Sequence, residues 1–563
     1  MPTITINRKS FEKFARVKLS TDKLKDRISM LGTDLERIDE NEIEVEIFPN
    51  RPDLLSVPGF ARAFSSFIGK DTGLRKYNVI KSNERVIIDK SVAGVRPYTA
   101  CAIVKGMRFT DERIKEVIQI QEKLHITYGR NRRKAAIGIY PFEKIKTPIS
   151  YTAKNPKDII FRPLEYPREI NAEQIIHEHP TGKEYGHLLQ GYDKYPAFID
   201  AEGKVLSVPP IVNSHDTGKI DSNTSDVFIE CSGSDFNVLK KCLNMIVAAM
   251  ADMGGRIYSM ELEYPDNLHV TPCLEPEKMK IDIDYCSKRL GIDFGQKEIK
   301  SLLERMGFGY DEKTKTALIP AYRADILHQI DLVEDISIAY GFENFKEEIP
   351  NVQTTGQEDL FAIFNNKITD ILAGLGMQQI NSSYLTKKES QKTKMQAEIE
   401  VIELKNALSA EFNVLRTWVV PSLLECFSHN RHCDYPQKIF DIGAVFKHEK
   451  SDTAKSTMPI SDTGVIQNTR LGAGICSENA DYTQIRQVFD YLMRMINVKC
   501  RIEETEHPSF IPGRVARAYI GKKGIAYIGE LHPKVIRNWG IEMPVCAFEL
   551  NLSDLFEIIA QQN

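Results

Sequence analysis

Tryptophan is almost missing from this sequence, with 2 among 563 residues, and the 10 cysteines are too sparse for a disulfide scaffold. No CxxC pair occurs, so neither a paired-thiol redox site nor a zinc ribbon is expected. Long apolar runs are absent too: the longest, Met245 to Ala251, falls far short of the roughly 20 residues that span a bilayer. The first eight residues contain no apolar signal core, and these two absences predict a cytosolic chain with no membrane role. Charge of one sign is also lacking. With 74 basic and 78 acidic side chains the net charge is −4, which excludes bulk electrostatic binding of nucleic acid but leaves room for a local basic patch. No internal repeat, low-complexity tract or Gly/Ser-rich linker is present.

What is there is an ordinary globular mixture, 42% hydrophobic and 27% charged. At about 150 residues per domain the length predicts three or four domains. Periodicity divides the chain into 1–78, 79–268, 269–350 and 351–563. The first region alternates at Ile43–Ile47 and then enters Phe48-Pro49-Asn50-Arg51-Pro52-Asp53, a turn that Arg51 and Asp53 are placed to staple. The second mixes short β-rich runs with helices. Its Asp111–Tyr128 helix ends in the basic stretch Arg130–Lys134, and its Asp226–Ser232 strand leads to a helix capped by Asp235 and stopped by Gly254-Gly255. The third is compact and mostly helical, and the fourth combines long helices with many short strands.

Familiar catalytic signatures are missing: no GxxxxGK loop, no HExxH, no GxSxG, and Gly374-Leu375-Gly376 lacks the third glycine of a dinucleotide fingerprint. Cys426, His429, His432 and Cys433 are close in sequence, but zinc usually draws its ligand pairs from two separate elements, so a helix end with buried thiols is the simpler reading. The Ile330–Tyr340 helix is more informative. Leu332, Val333, Ile336, Ala339 and Tyr340 fill one arc, while Asp331, Glu334 and Asp335 fill the opposite one, with Asp325 just before it. Like charges at these spacings repel and call for a counter-charge, either Mg²⁺ or a neighbour such as Arg323.

Three stretches resemble the beta subunits of phenylalanyl-tRNA synthetase in their archaeal and eukaryotic-like form. They are Phe48–Ser56; Arg323–Ile326 with Asp331–Ile336 and Tyr340-Gly341-Phe342; and Leu404–Ser409 with Leu415-Arg416-Thr417, Pro421 and Phe440–Gly443. The resemblance implies an α+β multidomain fold: an N-terminal α/β domain, an editing-type α+β domain, a small helical magnesium-binding domain and a C-terminal class II synthetase-like antiparallel-sheet module. It implies a ligase of two alpha and two beta chains that joins phenylalanine to its tRNA with ATP, both small substrates being bound on the alpha subunit. The beta chain is then expected to supply scaffold, contacts to tRNA(Phe) and proofreading, with Mg²⁺ on Asp325, Asp331, Glu334 and Asp335.

The resemblance also marks where the chemistry should fail. Class II catalysis needs an acid two residues after its ATP-clamping arginine, and Leu415-Arg416-Thr417-Trp418 has none, so the fourth region is expected to be catalytically inactive. Editing is expected in the second region, because an apolar phenylalanine pocket cannot strongly reject tyrosine. Ser214, Glu230, Ser232 and Asp235 resemble residues of the family's editing domain, whereas Ile137-Gly138-Ile139-Tyr140-Pro141 departs from the family's Ile-Gly-Ile-His-Asp. No triad is expected around them. Two rival readings are a free-standing editing hydrolase, which needs no partner, and an RNA-binding paralogue, which binds tRNA without deacylating it.

Overall fold

The computed structural model describes residues 2–352, 355–449 and 463–561. It divides into two compact units, Met1–Ile349 and Pro350–Asn563, both of mixed α/β composition.

In the first unit, strand Glu42–Glu46 lies between Thr3–Asn7 and Asp34–Ile38 in an antiparallel sheet. The period of two turns Ile43 and Val45 into the core, where helices Arg8–Ala15 and Val57–Phe67 bury Phe11, Phe60 and Phe64. The Pro-bracketed turn is stapled as its sequence suggests: Arg51 donates twice to Asp53, at 2.9 Å each, with both side chains buried. Ser56 then caps the following helix by accepting from the Gly59 N–H at 3.0 Å.

Strands between Val79 and Thr271 form one eleven-stranded sheet. Val227–Gly233 sits between Tyr98–Lys105 and Ala135–Pro141, and every residue of the first and last of these strands is buried. Such strands read as continuous apolar runs, so a charged residue inside one needs a reason. Ala135–Pro141 is the terminal strand of the order and presents a sheet edge. Helix Phe236–Asp252 covers the sheet through Val238, Cys242, Ile246 and Ala249. The last part of this unit surrounds the small sheet Glu277–Lys280, Thr316–Ile319, Gly309–Asp311 with helices Ile283–Leu290, Gln296–Arg305 and Gln329–Tyr340.

The second unit is built on a seven-stranded sheet in which only Gln378–Gln379 pairs parallel. Its longest ladder joins Gln437–His448 to Val465–Cys476. Helices Leu360–Gly374, Tyr482–Met495 and Leu552–Ala560 supply one hydrophobic cluster, and Val420–His429 supplies another.

Candidate functional site

The acidic helix keeps part of its expected pattern. Leu332, Val333, Ile336 and Ala339 are buried and Glu334 is exposed, but Asp335 is buried as well. Its placement on an outer polar face is corrected by one neighbour, Arg323. That guanidinium donates from Nε and Nη2 to Asp325 at 2.8 and 2.7 Å, and from Nη2 to Asp335 at 2.6 Å. All three side chains are nearly sealed from solvent. Burial pushes both carboxyls up. For Asp325 the attraction of Arg323, two hydrogen bonds to it and the field of Arg51 outweigh burial and leave the pKa lowered; for Asp335, which takes a single N–H, burial prevails and the pKa stays raised. Asp331 is also engaged: its Oδ2 accepts the Leu327 and His328 N–H groups at 2.8 Å, capping its own helix.

These partners bear on the expected metal site. Among the described residues, the one group of three acidic side chains whose oxygens lie within 4.8 Å of one another is Asp34, Glu36 and Glu46, so Asp325, Asp331, Glu334 and Asp335 do not converge as a four-ligand cage. Asp325 and Asp335 face an arginine that already supplies positive charge. Asp331 and Glu334, one turn apart, are the two whose oxygens are not claimed by Arg323. The Cys426, His429, His432, Cys433 group does not gather either.

A cavity of about 320 Å³ opens beside the edge strand of the large sheet. Val117, Ile137, Ile139, Pro209 and Ile211 line it, and Glu230 reaches into it. The ladder explains how. Glu230 lies opposite Gly138 on the edge strand, and a Cβ at 138 would stand 2.5 Å from Glu230 Oε1, so only glycine lets the carboxylate pass. Tyr140 donates its hydroxyl to Glu230 Oε1 at 3.1 Å, while Oε2 is buried without a partner. Burial pushes the Glu230 carboxyl up to about 7, although Tyr140 and the field of Arg96 oppose it.

Of the four editing candidates, then, Glu230 alone lines this cavity. Ser214 is buried at the start of the short His215–Gly218 helix, next to the lining residue Asn213. Ser232 shares Glu230's strand but accepts from Arg96 Nε at 3.1 Å. Asp235 is exposed and accepts the Asn237 and Val238 N–H groups, as a helix cap. Asp235→Ala should therefore lower unfolding free energy by about 1 kcal/mol in urea titrations, while the pH dependence set by Glu230 persists.

Sequence reasoning missed His125 and Glu122 on the cavity wall. His125 Nε2 accepts the Ile137 N–H at 2.8 Å, which leaves the proton on Nδ1, facing Glu122 Oε1 at 3.2 Å. Burial lowers its pKa and favours this neutral form. The basic stretch also behaves differently from a solvated patch. Arg130, Asn131 and Arg132 are successive left-handed residues, and they fold Arg132 back to donate to Ile211 O at 3.0 Å and Glu122 at 3.2 Å, its guanidinium 4.3 Å from the Tyr185 ring centroid. Non-glycine residues reach this conformation at a cost of about 1 kcal/mol or more each, which the inward arginine offsets. Chemically, the cavity is a largely apolar slot with Glu230 buried in it, Glu122 and Glu165 on its wall, and the wall residue Thr181 hydrogen-bonded to His179 at 2.8 Å.

In the second unit Arg416 is fully buried. It donates to Ala444 O at 2.8 Å, Ser382 Oγ at 2.7 Å and Asp441 Oδ2 at 2.9 Å, while its Nη2 is buried without a partner.

Comparison with known proteins agrees over the whole length. Residues 346–552 match the model of the phenylalanyl tRNA synthetase beta chain CLM domain, and 279–342 that of the tRNA synthetase B5 domain. The chain is 36% identical over 579 residues to the phenylalanine–tRNA ligase beta subunit of Thermococcus kodakarensis, covering 99% of each. It is 38% identical over 565 residues to that of Pyrococcus abyssi, covering 99% of this chain and all of the other. An N-terminal fragment of the phenylalanyl-tRNA synthetase beta-subunit from Pyrococcus horikoshii, solved by crystallography, superposes with a TM-score of 0.59 and 37% identity over 60% of this chain and 99% of the fragment.

Proposed function

This chain belongs to the family of phenylalanine–tRNA ligase beta subunits, and we propose that its own chemical task there is to discharge tyrosine wrongly attached to the phenylalanine tRNA. The ligase joins phenylalanine to tRNA using ATP, and we place that reaction on an alpha partner in a tetramer of two alpha and two beta chains. The observation that carries the editing reading is Glu230. A carboxylate with one free oxygen in an apolar slot is what a site needs to select a phenol from a phenyl ring, because the hydroxyl donates where the ring edge cannot. Ser214 and Ser232 hold the strand ends around it, and Asp235 acts through the helix it caps. With no triad nearby, water positioned by backbone groups and the terminal ribose performs the hydrolysis. Deacylation of tyrosine-charged tRNA(Phe) by the assembled complex, wild type against Glu230→Gln, tests this reading; equal rates would overturn it.

The sealed Arg416 supports an inactive second unit. Purified alone, the chain should show no phenylalanine-dependent exchange of pyrophosphate into ATP, and robust exchange would place an activation site here. No helix among the described residues is long and apolar enough to cross a membrane.

For Mg²⁺ the four-carboxylate set inferred from resemblance does not fit as placed, so no step is routed through the ion. The narrower proposal is a hydrated Mg²⁺ on Asp331 and Glu334, with Asp325 and Asp335 behind them on Arg323; such an ion commonly takes one or two carboxylates and keeps its waters. A crystal soaked in Mn²⁺ should show an anomalous peak beside Asp331 and Glu334, and its absence there would remove the site.

A further inference from the structure

The second unit contains a cavity of about 420 Å³ that neither editing nor scaffolding uses. Four rings, Trp418, His507, Phe510 and Tyr527, line one part of its wall. The His507 ring sits 5.7 Å from Trp418, 5.3 Å from Phe510 and 5.0 Å from Tyr527, centroid to centroid. Three cations, Lys447, Arg470 and Arg517, line another part and are incompletely answered. Arg470 donates to Glu549 at 2.7 Å, yet its Nε is buried with no partner. Arg517 lies 3.8 Å over the Tyr527 ring centroid. Lys447 forms no ion pair among the described residues.

The acids in the wall are already engaged. Glu549 also accepts the Val419 and Val420 N–H groups, at 2.8 and 3.0 Å, and Asp554 accepts from Lys523 and Asn551. Burial and then the adjacent Arg470 depress the Lys447 pKa, and Glu549 and Asp554 offset only part of that.

We propose that this cavity binds a small planar aromatic molecule carrying a phosphate, of which a free mononucleotide is the simplest. Bases stack on aromatic and guanidinium faces without regard to sequence. Arginine and lysine side chains converging on one point suit a phosphate better than a singly charged group. The volume falls within the usual range of small-ligand sites. Neither a bare ring nor a bare anion would engage both parts of the wall.

The test uses the full chain without an alpha partner, so that no second nucleotide site contributes. Trp418 is one of 2 tryptophans, and its fluorescence reports occupancy during titration with AMP, adenosine, inorganic phosphate and phenylalanine. AMP should saturate the signal, with adenosine and phosphate each about tenfold weaker or more. Lys447→Met, which removes a charge that forms no ion pair among the described residues, should weaken AMP about tenfold, leave adenosine unchanged and leave the unfolding temperature unchanged. A lack of saturation by AMP, equal affinity for AMP and adenosine, or unaltered AMP binding by Lys447→Met would each overturn the proposal. Phenylalanine binding more tightly than AMP would reassign the site to an aromatic carboxylate and overturn the phosphate.

Discussion

Glu230→Gln should slow release of tyrosine from tRNA(Phe) by the assembled ligase roughly 10- to 100-fold, the usual weight of one hydrogen bond to a charged acceptor. Charging with phenylalanine should stay near normal. Glutamine fills the same space opposite Gly138 but cannot ionise. The pH dependence separates a selective role from a structural one. The carboxyl titrates at about 7, so preference for the tyrosine ester over the phenylalanine ester should rise as pH increases through 7, and be flat in Glu230→Gln. Stability moves the other way. A folded pKa above the ordinary 4.5 means the protonated form is favoured by folding, so the full contribution is present below about 4.5 and is lost as pH climbs through 7. The loss is about 3 kcal/mol. Thermal unfolding of wild type should show that decline between pH 4.5 and 7, and the variant should not.

Much of this was legible in the residues. The cap at Asp235, the Arg51–Asp53 staple and the apolar arc of the Gln329–Tyr340 helix follow from spacing and side-chain chemistry, and they appear where expected. What escaped are contacts decided by register or by a distant counter-charge. Tyr140 stands out in sequence only as the wrong residue for a family pattern; the ladder beside Val227–Gly233 is what brings its hydroxyl to Glu230. His125 reads as one more polar residue near a helix end, and its ring is fixed by the N–H of Ile137 on another element. Arg132 lies in a run of basic residues, and three left-handed residues turn it inward. A helical wheel assigns polar residues to water, so it put Asp335 outside. Spacing names Arg323 as a candidate counter-charge, but not that it is buried with Asp335 against it.

That buried arginine is the subject of the second large effect. Asp335→Asn should destabilise the first unit by about 2 kcal/mol, because it removes the charge on one side of a buried, charge-assisted hydrogen bond and leaves Arg323 with Asp325 as its counter-charge. Arg323 keeps its two hydrogen bonds to Asp325, but its Nη1 is already buried without a partner. Asp331→Asn should cost far less, since an amide oxygen still accepts the Leu327 and His328 N–H groups that the carboxylate caps. The contrast distinguishes an arginine clasp from a metal cage. If the four carboxylates served chiefly to hold a cation, the two substitutions would have similar effects, and both would be eased by added Mg²⁺. If Arg323 is the counter-charge, Asp335→Asn is severe at any Mg²⁺ concentration. Replacing Arg323, Asp325 and Asp335 together by apolar residues of similar volume should then recover much of the loss, as buried ion groups often do when every partner is removed at once. Chemical unfolding of the full chain with and without Mg²⁺ measures all three. Equal destabilisation by Asp331→Asn and Asp335→Asn, relieved by the ion, would show that the clasp yields to metal.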